Sequence, residues 1–320
     1  DAELVVRLPS MVGSLLAMYL FYRLAGRLVS HPWHLFATFL FAFNFPLIAY
    51  SADVKPYGVD VLASCVILLV VLPARSGGLN RGRAAYLACV GAVLLSISQP
   101  AVFVILPALL LLATRMTADR DWISLRRLSM VAIVWALAGG VTLWYSRRAL
   151  GAEGMAYMDL YWADAFLPFP PFGREQASAY ILSALGFGIS PVGSIIPGIV
   201  VFALVGLAAL IVYDRWTLAL LSGPITLTII ASIAQLYPFR STLVGQWPDG
   251  RVVLFLTPAV IILMGHAMAL FWRSRYESQR RIVLLASLLV MAGNLVLFRN
   301  YPVQREEIRP VLAEVEADFR

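Results

Sequence analysis

The chain has a single lysine, and it lies in a short polar segment between two long apolar stretches, Ser51–Asp60, which we call the hinge segment. Lys55 can bind a phosphate as a point charge, Asp53 can orient that lysine or bind a metal ion, and Tyr57 can donate to a phosphate oxygen. An acid and a base at the edge of hydrocarbon are costly, which favours a function for them. The pattern indicates a site for a lipid phosphate headgroup, and the alternative is an interfacial anchor with a snorkelling lysine.

A second group of residues combines aromatic rings with acids in the segment Tyr157–Pro168. Tyr161 and Trp162 offer ring faces on which the C–H groups of a sugar can stack. Asp159 and Asp164 offer acceptors for sugar hydroxyls, although a spacing of five residues does not require one helical face. We therefore expect contacts with a sugar or an acceptor here, and the alternative is an interfacial aromatic loop with solvated acids.

A third polar segment contains two arginines and precedes an apolar run. Arg240 ends the sequence Tyr-Pro-Phe-Arg, and Arg251 ends the sequence Gln-Trp-Pro-Asp-Gly-Arg. Because arginine binds phosphate oxygens in a bidentate way, both are candidates for phosphate binding. The alternative is an ion pair between Asp249 and Arg251 at the level of the lipid headgroups.

The elements that position these three segments are predicted from composition. The chain is 61% hydrophobic and 13% charged, whereas a soluble domain has about a quarter charged residues. Its repeated apolar runs approach the length that crosses ~30 Å of hydrocarbon. We therefore predict an all-α, polytopic membrane helical bundle, and the net charge of +7 indicates arginine-rich cytoplasmic loops rather than nucleic-acid binding.

Ten apolar segments are predicted to span the membrane, joined by outer loops that include amphipathic helices within residues 174–190 and 306–319. Internal repeats are not evident, which disfavours an inverted-repeat transporter. The predicted spans are 11–28, 33–50, 58–73, 84–98, 101–115, 128–146, 195–213, 216–235, 252–272 and 282–298.

The charges of the loops alternate between two sets along the chain. One set of loops holds fourteen arginines and four acids, and the remaining segments hold eleven cations and fourteen acids. The positive-inside rule places the arginine-rich set in the cytoplasm, so all three polar segments and both ends of the chain lie on the outer side. The arginine-rich set consists of Arg23, Arg27, Arg75, Arg81, Arg83, Arg115, Arg120, Arg126, Arg127, Arg215, Arg273, Arg275, Arg280 and Arg281.

Four short motifs, taken in order, resemble those of bacterial GT-C glycosyltransferases. This group is related to dolichyl-phosphate-mannose–protein mannosyltransferases, lipid A aminoarabinose transferases and rhizobial galacturonosyltransferases. The motifs are Glu3-x-x-x-Arg7-x-Pro9-Ser10 before an apolar span, Asp53-x-Lys55-x-Tyr57, Arg251-Val-Val-Leu-Phe-Leu-x-Pro258, and Glu307-Ile-Arg-Pro-Val-Leu312. The resemblance covers most of the chain and is strengthened by the shared outer side of the motifs.

The resemblance implies a GT-C-like bundle in a bacterial inner membrane, with the active side facing out. A sugar on a polyprenyl-phosphate donor would be transferred to a lipid, glycan or protein acceptor. A carboxylate would take the proton from the acceptor hydroxyl, and cations would stabilise the leaving phosphate. No cofactor is required by this scheme, although a divalent cation held by Asp53 is an alternative, and membrane lipids are the expected surroundings.

The resemblance also implies where the catalytic base lies. In the family it belongs to the first outer loop, so residues 11–28 would be the second span and the base would lie upstream of Asp1. The catalytic residue is therefore unknown, and we expect this chain to be inactive alone. Residues 1–298 would form the membrane core, and residues 299–320 would start an outer C-terminal domain.

Two other functions compete with an enzyme. A transporter or flippase for a lipid-linked sugar would line a path with polar residues at mid-membrane depth, and the predicted spans contain no Asp or Glu in their middle. A membrane scaffold would not need an acid–base pair in an outer segment. The sequence thus favours a membrane glycosyltransferase.

Overall fold

The computed structural model describes residues 2–51, 53, 57–75, 77–167, 196–239 and 251–273, with scattered residues between 277 and 296. Secondary structure throughout these residues is helical, without a strand. The all-α class predicted from the sequence is therefore confirmed. The predicted amphipathic helices at 174–190 and 306–319 and the division at residue 298 fall outside the described residues.

Ten α-helices and three short 3₁₀ segments are described. The α-helices are α1 (Ala2–Leu28), α2 (Trp33–Ala42), α3 (Phe45–Ser51), α4 (Tyr57–Val71), α5 (Arg81–Ile97), α6 (Ala101–Ala118), α7 (Trp122–Trp162), α8 (Ile196–Tyr213), α9 (Arg215–Ile233) and α10 (Thr257–Trp272). The 3₁₀ segments are Leu72–Arg75, Ala163–Ala165 and Arg251–Leu256.

Six helices are long and apolar enough to cross a membrane, and the pair α2 and α3 makes a seventh if it is one span bent by 46°. Their outward faces expose apolar side chains, such as Leu137 at 65% and Val141 at 64%, as expected for contact with lipid rather than water. The helices thus have the properties of a multi-pass membrane protein. The six are Val5–Leu28, Tyr57–Arg75, Ala101–Ala118, Trp122–Trp162, Arg215–Ile233 and Val252–Trp272.

The predicted number of ten spans is supported only in part. Helix α5 has 17 residues, with two arginines in its first turn, and the apolar part of α8 is only Val200–Tyr213. Both are short for a span of about 20 residues. The predicted span 282–298 lies largely outside the described residues.

Helix α7 is longer than predicted. The sequence suggested a span over 128–146 followed by an outer loop, whereas the helix runs on to Trp162 with one non-helical residue, Gly151, at φ 64° and ψ −175°. Alanine, methionine, leucine and glutamate after Gly151 favour helix. This local propensity explains why the aromatic–acidic segment is mostly helical.

Helix α10 lies at the centre of the bundle, because nearly every residue from Thr257 to Ala269 is buried. It packs against α8 and α2, while α1 packs along α4, α5 along α7, and α6 along α9. At Gly206 of α8, an added Cβ would overlap the carbonyl of Leu263 on α10. A glycine there lets two helix backbones touch, as small residues do at membrane helix interfaces.

The bundle has two chemically different ends. At the end that we call the arginine end, α4 finishes near the start of α9, and Arg75 pairs with Asp214 at 2.7 Å. Arg127 also reaches across this end and donates to the carbonyl of Leu79 at 2.7 Å. The opposite end, which we call the hinge end, contains the start of α4 and the turn between α5 and α6.

Candidate functional site

The hinge segment is shorter than predicted, since α4 already begins at Tyr57. The ring of Tyr57 packs edge-on against that of Tyr50 in α3, with centroids 5.0 Å apart. The carbonyl of Tyr50 accepts hydrogen bonds from the Ser10 hydroxyl at 3.2 Å and from the Asp53 amide at 3.3 Å. The starts of α1 and α4 and the end of α3 therefore meet at one point.

A glycine makes this meeting close. A Cβ added to Gly58 would lie 2.6 Å from the carbonyl oxygen of Ser10 and would overlap the hydroxyl of Ser14. Helices α1 and α4 thus approach each other closely at Gly58, as small residues permit. The contact fixes Tyr57 and the first turn of α4 against α1.

Tyr237 connects the third polar segment to this region. Its hydroxyl donates to the carbonyl of Val252 at 2.8 Å, and its ring lies 4.6 Å from that of Phe103. Burial, followed by the nearby charge of Asp60 and the phenol of Tyr57, raises the pKa of Tyr237 well above its usual value. The phenol therefore stays protonated and remains a donor.

The end of the aromatic–acidic segment packs against the same region. The amide of Phe239 donates to the carbonyl of Ala165 at 2.9 Å, and the amide of Leu167 donates to the Ser232 hydroxyl at 2.9 Å. Because Phe239 follows Tyr237 by two residues, backbone from all three predicted segments gathers at the hinge end. The sequence predicted a shared side for them, and the structure adds their direct packing.

The predicted residues within the aromatic–acidic segment are more exposed. The ring of Tyr161 lies 5.9 Å from that of Tyr157 and 4.9 Å from that of Trp162, which packs partly against the core. Asp159 is exposed, and its carboxylate forms no ion pair within the described part of the chain. Of Asp164 only the backbone is described.

Several predicted residues fall outside the description. Lys55 and Arg240 are not among the described residues, and Arg251 is described only in its backbone, at the start of the 3₁₀ segment before α10. Asp53 is described and is half-buried. The predicted phosphate contacts of Lys55, Arg240 and Arg251 remain predictions.

Asp60 is a residue to which the sequence analysis gave no role. It lies in the first turn of the spanning helix α4 and is half-buried. The hydroxyl of Ser98, in the turn between α5 and α6, is buried close to its carboxyl group. The sequence feature that could have identified Asp60 is an acid at the third position of the predicted span 58–73, where a carboxylate faces the edge of hydrocarbon.

Arg7 is a second residue without a predicted site role. It is 6% exposed and lies one turn before Ser10 on α1, close to the meeting point of α1, α3 and α4. Burying a guanidinium is costly unless its surroundings compensate the charge. The sequence feature that could have identified Arg7 is a cation within an apolar helix, in the first of the four motifs.

The described walls of the hinge end enclose little space. A cavity of about 20 Å³ is lined by residues that include Tyr50, Tyr57, Gly58 and Leu254, which is enough for about one water molecule. Across the described ranges, His, Cys, Asp and Glu do not form a group of three that could hold a metal ion. A carboxylate, hydroxyls and a buried cation together suit hydrogen bonding to a polar ligand at the membrane edge.

Comparison of the chain with models of protein families, with curated proteins and with solved structures finds no match.

Proposed function

We propose that this chain is the membrane region of a glycosyltransferase that uses a sugar carried on a polyprenyl phosphate. The observation that supports the proposal best is the packing of three polar segments at one end of a helix bundle. Tyr57, Tyr237 and the backbone around Ala165 meet there. A surface site at the membrane edge suits a ligand whose chain stays in lipid while its phosphate and sugar face water.

The roles in this proposal follow the chemistry of each side chain. Cations stabilise the charge that develops on a leaving phosphate, and aromatic faces with acids contact sugar rings. Asp53 would orient the lysine of the hinge segment or hold a divalent cation. The phosphate would contact Lys55, Arg240 and Arg251, with Tyr57 as a donor, while the sugar or acceptor would contact Asp159, Tyr161, Trp162 and Asp164.

The position of acids within the spans supports an enzyme over a transporter. Within the described spans, leaving aside the part of α7 after Gly151, Asp60 is the one acid. It lies in the first turn of α4 rather than in the middle of the span. Transport paths place ionisable groups near the middle of the membrane. The acids within the described spans instead lie near the hinge end or in the segment after Gly151.

The experiment is a transfer assay with the protein that contains this chain, reconstituted in sealed proteoliposomes. A polyprenyl-phosphate donor with a radiolabelled sugar is supplied, and label in acceptor is measured. We expect Lys55→Ala to reduce transfer by about 100-fold or more, because a cation at a developing charge contributes that much. The matched control is Arg281→Gln, since Arg281 is exposed and pairs with Glu277, and it should transfer normally.

Three results would contradict the proposal. Unchanged transfer by Lys55→Ala would remove the hinge segment from the site. Movement of intact labelled donor between leaflets, with no new glycosidic bond formed, would identify a flippase instead. Transfer lost in both Lys55→Ala and Arg281→Gln would point to general damage rather than to a site, and would also count against the proposed role of Lys55.

A further inference from the structure

A groove at the arginine end has chemistry that the proposed transfer reaction does not use. It lies between α1, α4 and α5 and has a volume of about 420 Å³. Three arginines line it, Arg23 and Arg27 from α1 and Arg83 from α5, together with apolar side chains of α4 that include Val66 and Val70. Acids are absent from its lining residues. The groove therefore combines positive charge with an apolar wall.

The acids at this end have other partners. Asp214 pairs with Arg75 at 2.7 Å. Asp119 pairs with Arg115 at 3.3 Å. The carboxylate of Asp121 accepts from the first turn of α7. Within the described part of the chain, the three groove arginines therefore have no carboxylate partner.

The positions of the groove arginines are unfavourable without an anion. Arg23 and Arg27 are four residues apart on one helix, where like charges face each other and repel. Arg83 lies in the first turn of α5, where the helix macrodipole is already positive. A bound anion would relieve both interactions.

The apolar part of the groove indicates the kind of anion. Leu20 of α1 and Val66, Leu69 and Val70 of α4 continue from the arginines toward the middle of the spans. A soluble phosphate would gain nothing from contact with this apolar wall, whereas an acyl chain would bury apolar surface against it. The groove also faces Tyr86, which is 58% exposed and can place its hydroxyl among lipid headgroups.

We propose that this groove binds one anionic glycerophospholipid, with its phosphate on the three arginines and an acyl chain along α4. Arginine recognises phosphate oxygens through paired N–H donors. Basic pockets between spans on the cytoplasmic side are typical sites for anionic headgroups, and the positive-inside rule predicts that this end faces the cytosol. The lipid fastens α5 to α1 and α4 without taking part in sugar transfer.

Native mass spectrometry of the purified, delipidated protein tests this site. Phosphatidylglycerol and phosphatidylcholine are titrated separately, and we expect one molecule of phosphatidylglycerol to bind at least tenfold more tightly. The triple variant Arg23→Gln, Arg27→Gln and Arg83→Gln should lose about tenfold or more of that affinity, because each arginine near a membrane surface contributes measurably to anionic lipid binding. Its affinity for phosphatidylcholine should not change.

The matched control removes the same charge at the same end outside the groove, with Arg120→Gln, Arg215→Gln and Arg273→Gln, and should change the affinity less than twofold. A second variant, Val70→Trp, fills the apolar wall without altering charge and should also weaken phosphatidylglycerol binding. Inorganic phosphate at millimolar concentration should not displace the lipid.

Three results would overturn the proposal. Equal loss of affinity in the groove and control triples would assign binding to general surface charge. Normal lipid binding by Val70→Trp would remove the groove as the place of the acyl chain. Displacement by inorganic phosphate would identify a site for free phosphate instead.

Discussion

The arginine end and the hinge end hold the same bundle together by different interactions. At the arginine end, α5, α7 and α9 begin with the side-chain caps Asn80, Asp121 and Asp214, and charged groups join neighbouring helices. At the hinge end, α6 and α10 begin without a side-chain cap, and aromatic rings with a few hydroxyls fill the space. The comparison teaches that ion pairs and helix caps join the helices at one end, whereas aromatic packing and a close helix contact join them at the other.

Asp214 illustrates the use of one carboxylate for two tasks. It accepts from the amide of Thr217 at 3.1 Å, which caps α9, and from both terminal nitrogens of Arg75, at 2.7 and 3.0 Å. The same guanidinium lies 5.2 Å from the ring of Trp216. One pair thereby ties the end of α4 to the start of α9.

The hinge end holds its parts mainly by shape. The ring of Tyr237 lies against those of Phe103 and Phe255, and its hydroxyl bonds a carbonyl. Ring stacking tolerates small shifts of a neighbour better than a bidentate ion pair does. Three predictions test this contrast between the two ends.

The largest effect is expected from a single methyl group at the hinge end. Gly58→Ala places a Cβ against the Ser10 carbonyl and the Ser14 hydroxyl, so α1 and α4 must separate. We expect a loss of about 2–3 kcal/mol of unfolding free energy, typical of overpacking. The measurement is unfolding of the purified protein in mixed micelles of increasing SDS content.

Gly82→Ala is the matched control at the arginine end. Gly82 also lies in the first turn of a helix, and its added Cβ would meet only the Asn80 side chain, at an ordinary distance of 3.7 Å. Alanine favours helix over glycine, so this variant should be as stable as the wild type or slightly more so. Equal destabilisation by both variants would show that the close α1–α4 contact does not make the hinge end more sensitive to an added methyl group.

An intermediate effect is expected when the ion pair of the arginine end is broken. Arg75→Ala removes a bidentate partner of Asp214 and the contact with Trp216, and it leaves the carboxylate without its cation. The two side chains are 43% and 24% exposed, so solvent weakens the pair, and we expect a loss of about 1–2 kcal/mol. The same SDS titration measures it.

A double-mutant cycle separates the pair from other losses. In the background of Asp214→Asn, which keeps a good helix cap, Arg75→Ala should cost clearly less than in the wild type. Equal costs in both backgrounds would show that the ion pair contributes nothing to stability.

The smallest effect is a difference in response to acid. Partial burial alone would raise the pKa of Asp214, but hydrogen bonds from Arg75 and Thr217 and the charge of Arg75 outweigh it and lower the pKa. A lowered native pKa means that the ionised carboxylate stabilises the fold above about pH 4, and that this contribution is lost as the pH falls through the native value. The stability advantage of the wild type over Asp214→Asn should therefore be constant from pH 7 to about 5 and shrink below pH 4.

The hinge end provides the control for this response. The pKa of Tyr237 is raised, so its phenol is neutral throughout that range, and the difference between the wild type and Tyr237→Phe should not vary between pH 3 and 8. A pH-independent advantage over Asp214→Asn would mean that the charge of Asp214 does not stabilise the arginine end.

The sequence was sufficient for the broad architecture. Hydrocarbon requires backbone groups to be satisfied within each segment, so apolar runs predict helices, and three of the predicted spans match α4, α6 and α9 closely. Charge distribution also grouped Arg23, Arg27, Arg75, Arg83 and Arg127, which the structure brings to one end. Helix length beyond a span was less predictable: the segment after residue 146 has polar and aromatic residues but sufficient helix propensity.

The candidate site was only partly predictable. Tyr57 was identified because it follows the single lysine, whereas Asp60, in the first turn of both the predicted span 58–73 and α4, was given no role. The packing of Tyr237 against Phe103 joins residues 134 positions apart, and periodicity within a segment contains no information about such contacts. Predicted spans and charges indicate how deep in the membrane a residue lies, but they do not indicate which helices are neighbours.

Gly151 determines how far α7 extends from the rest of the molecule. At φ 64° it adopts a backbone conformation that other residues rarely tolerate. A straight helix continuing for the next eleven residues would carry Trp162 about 16 Å farther along its axis, out into the aqueous layer. The change of direction at this one residue bends the helix instead, and the segment that follows ends where Trp162 and Leu167 pack against the core.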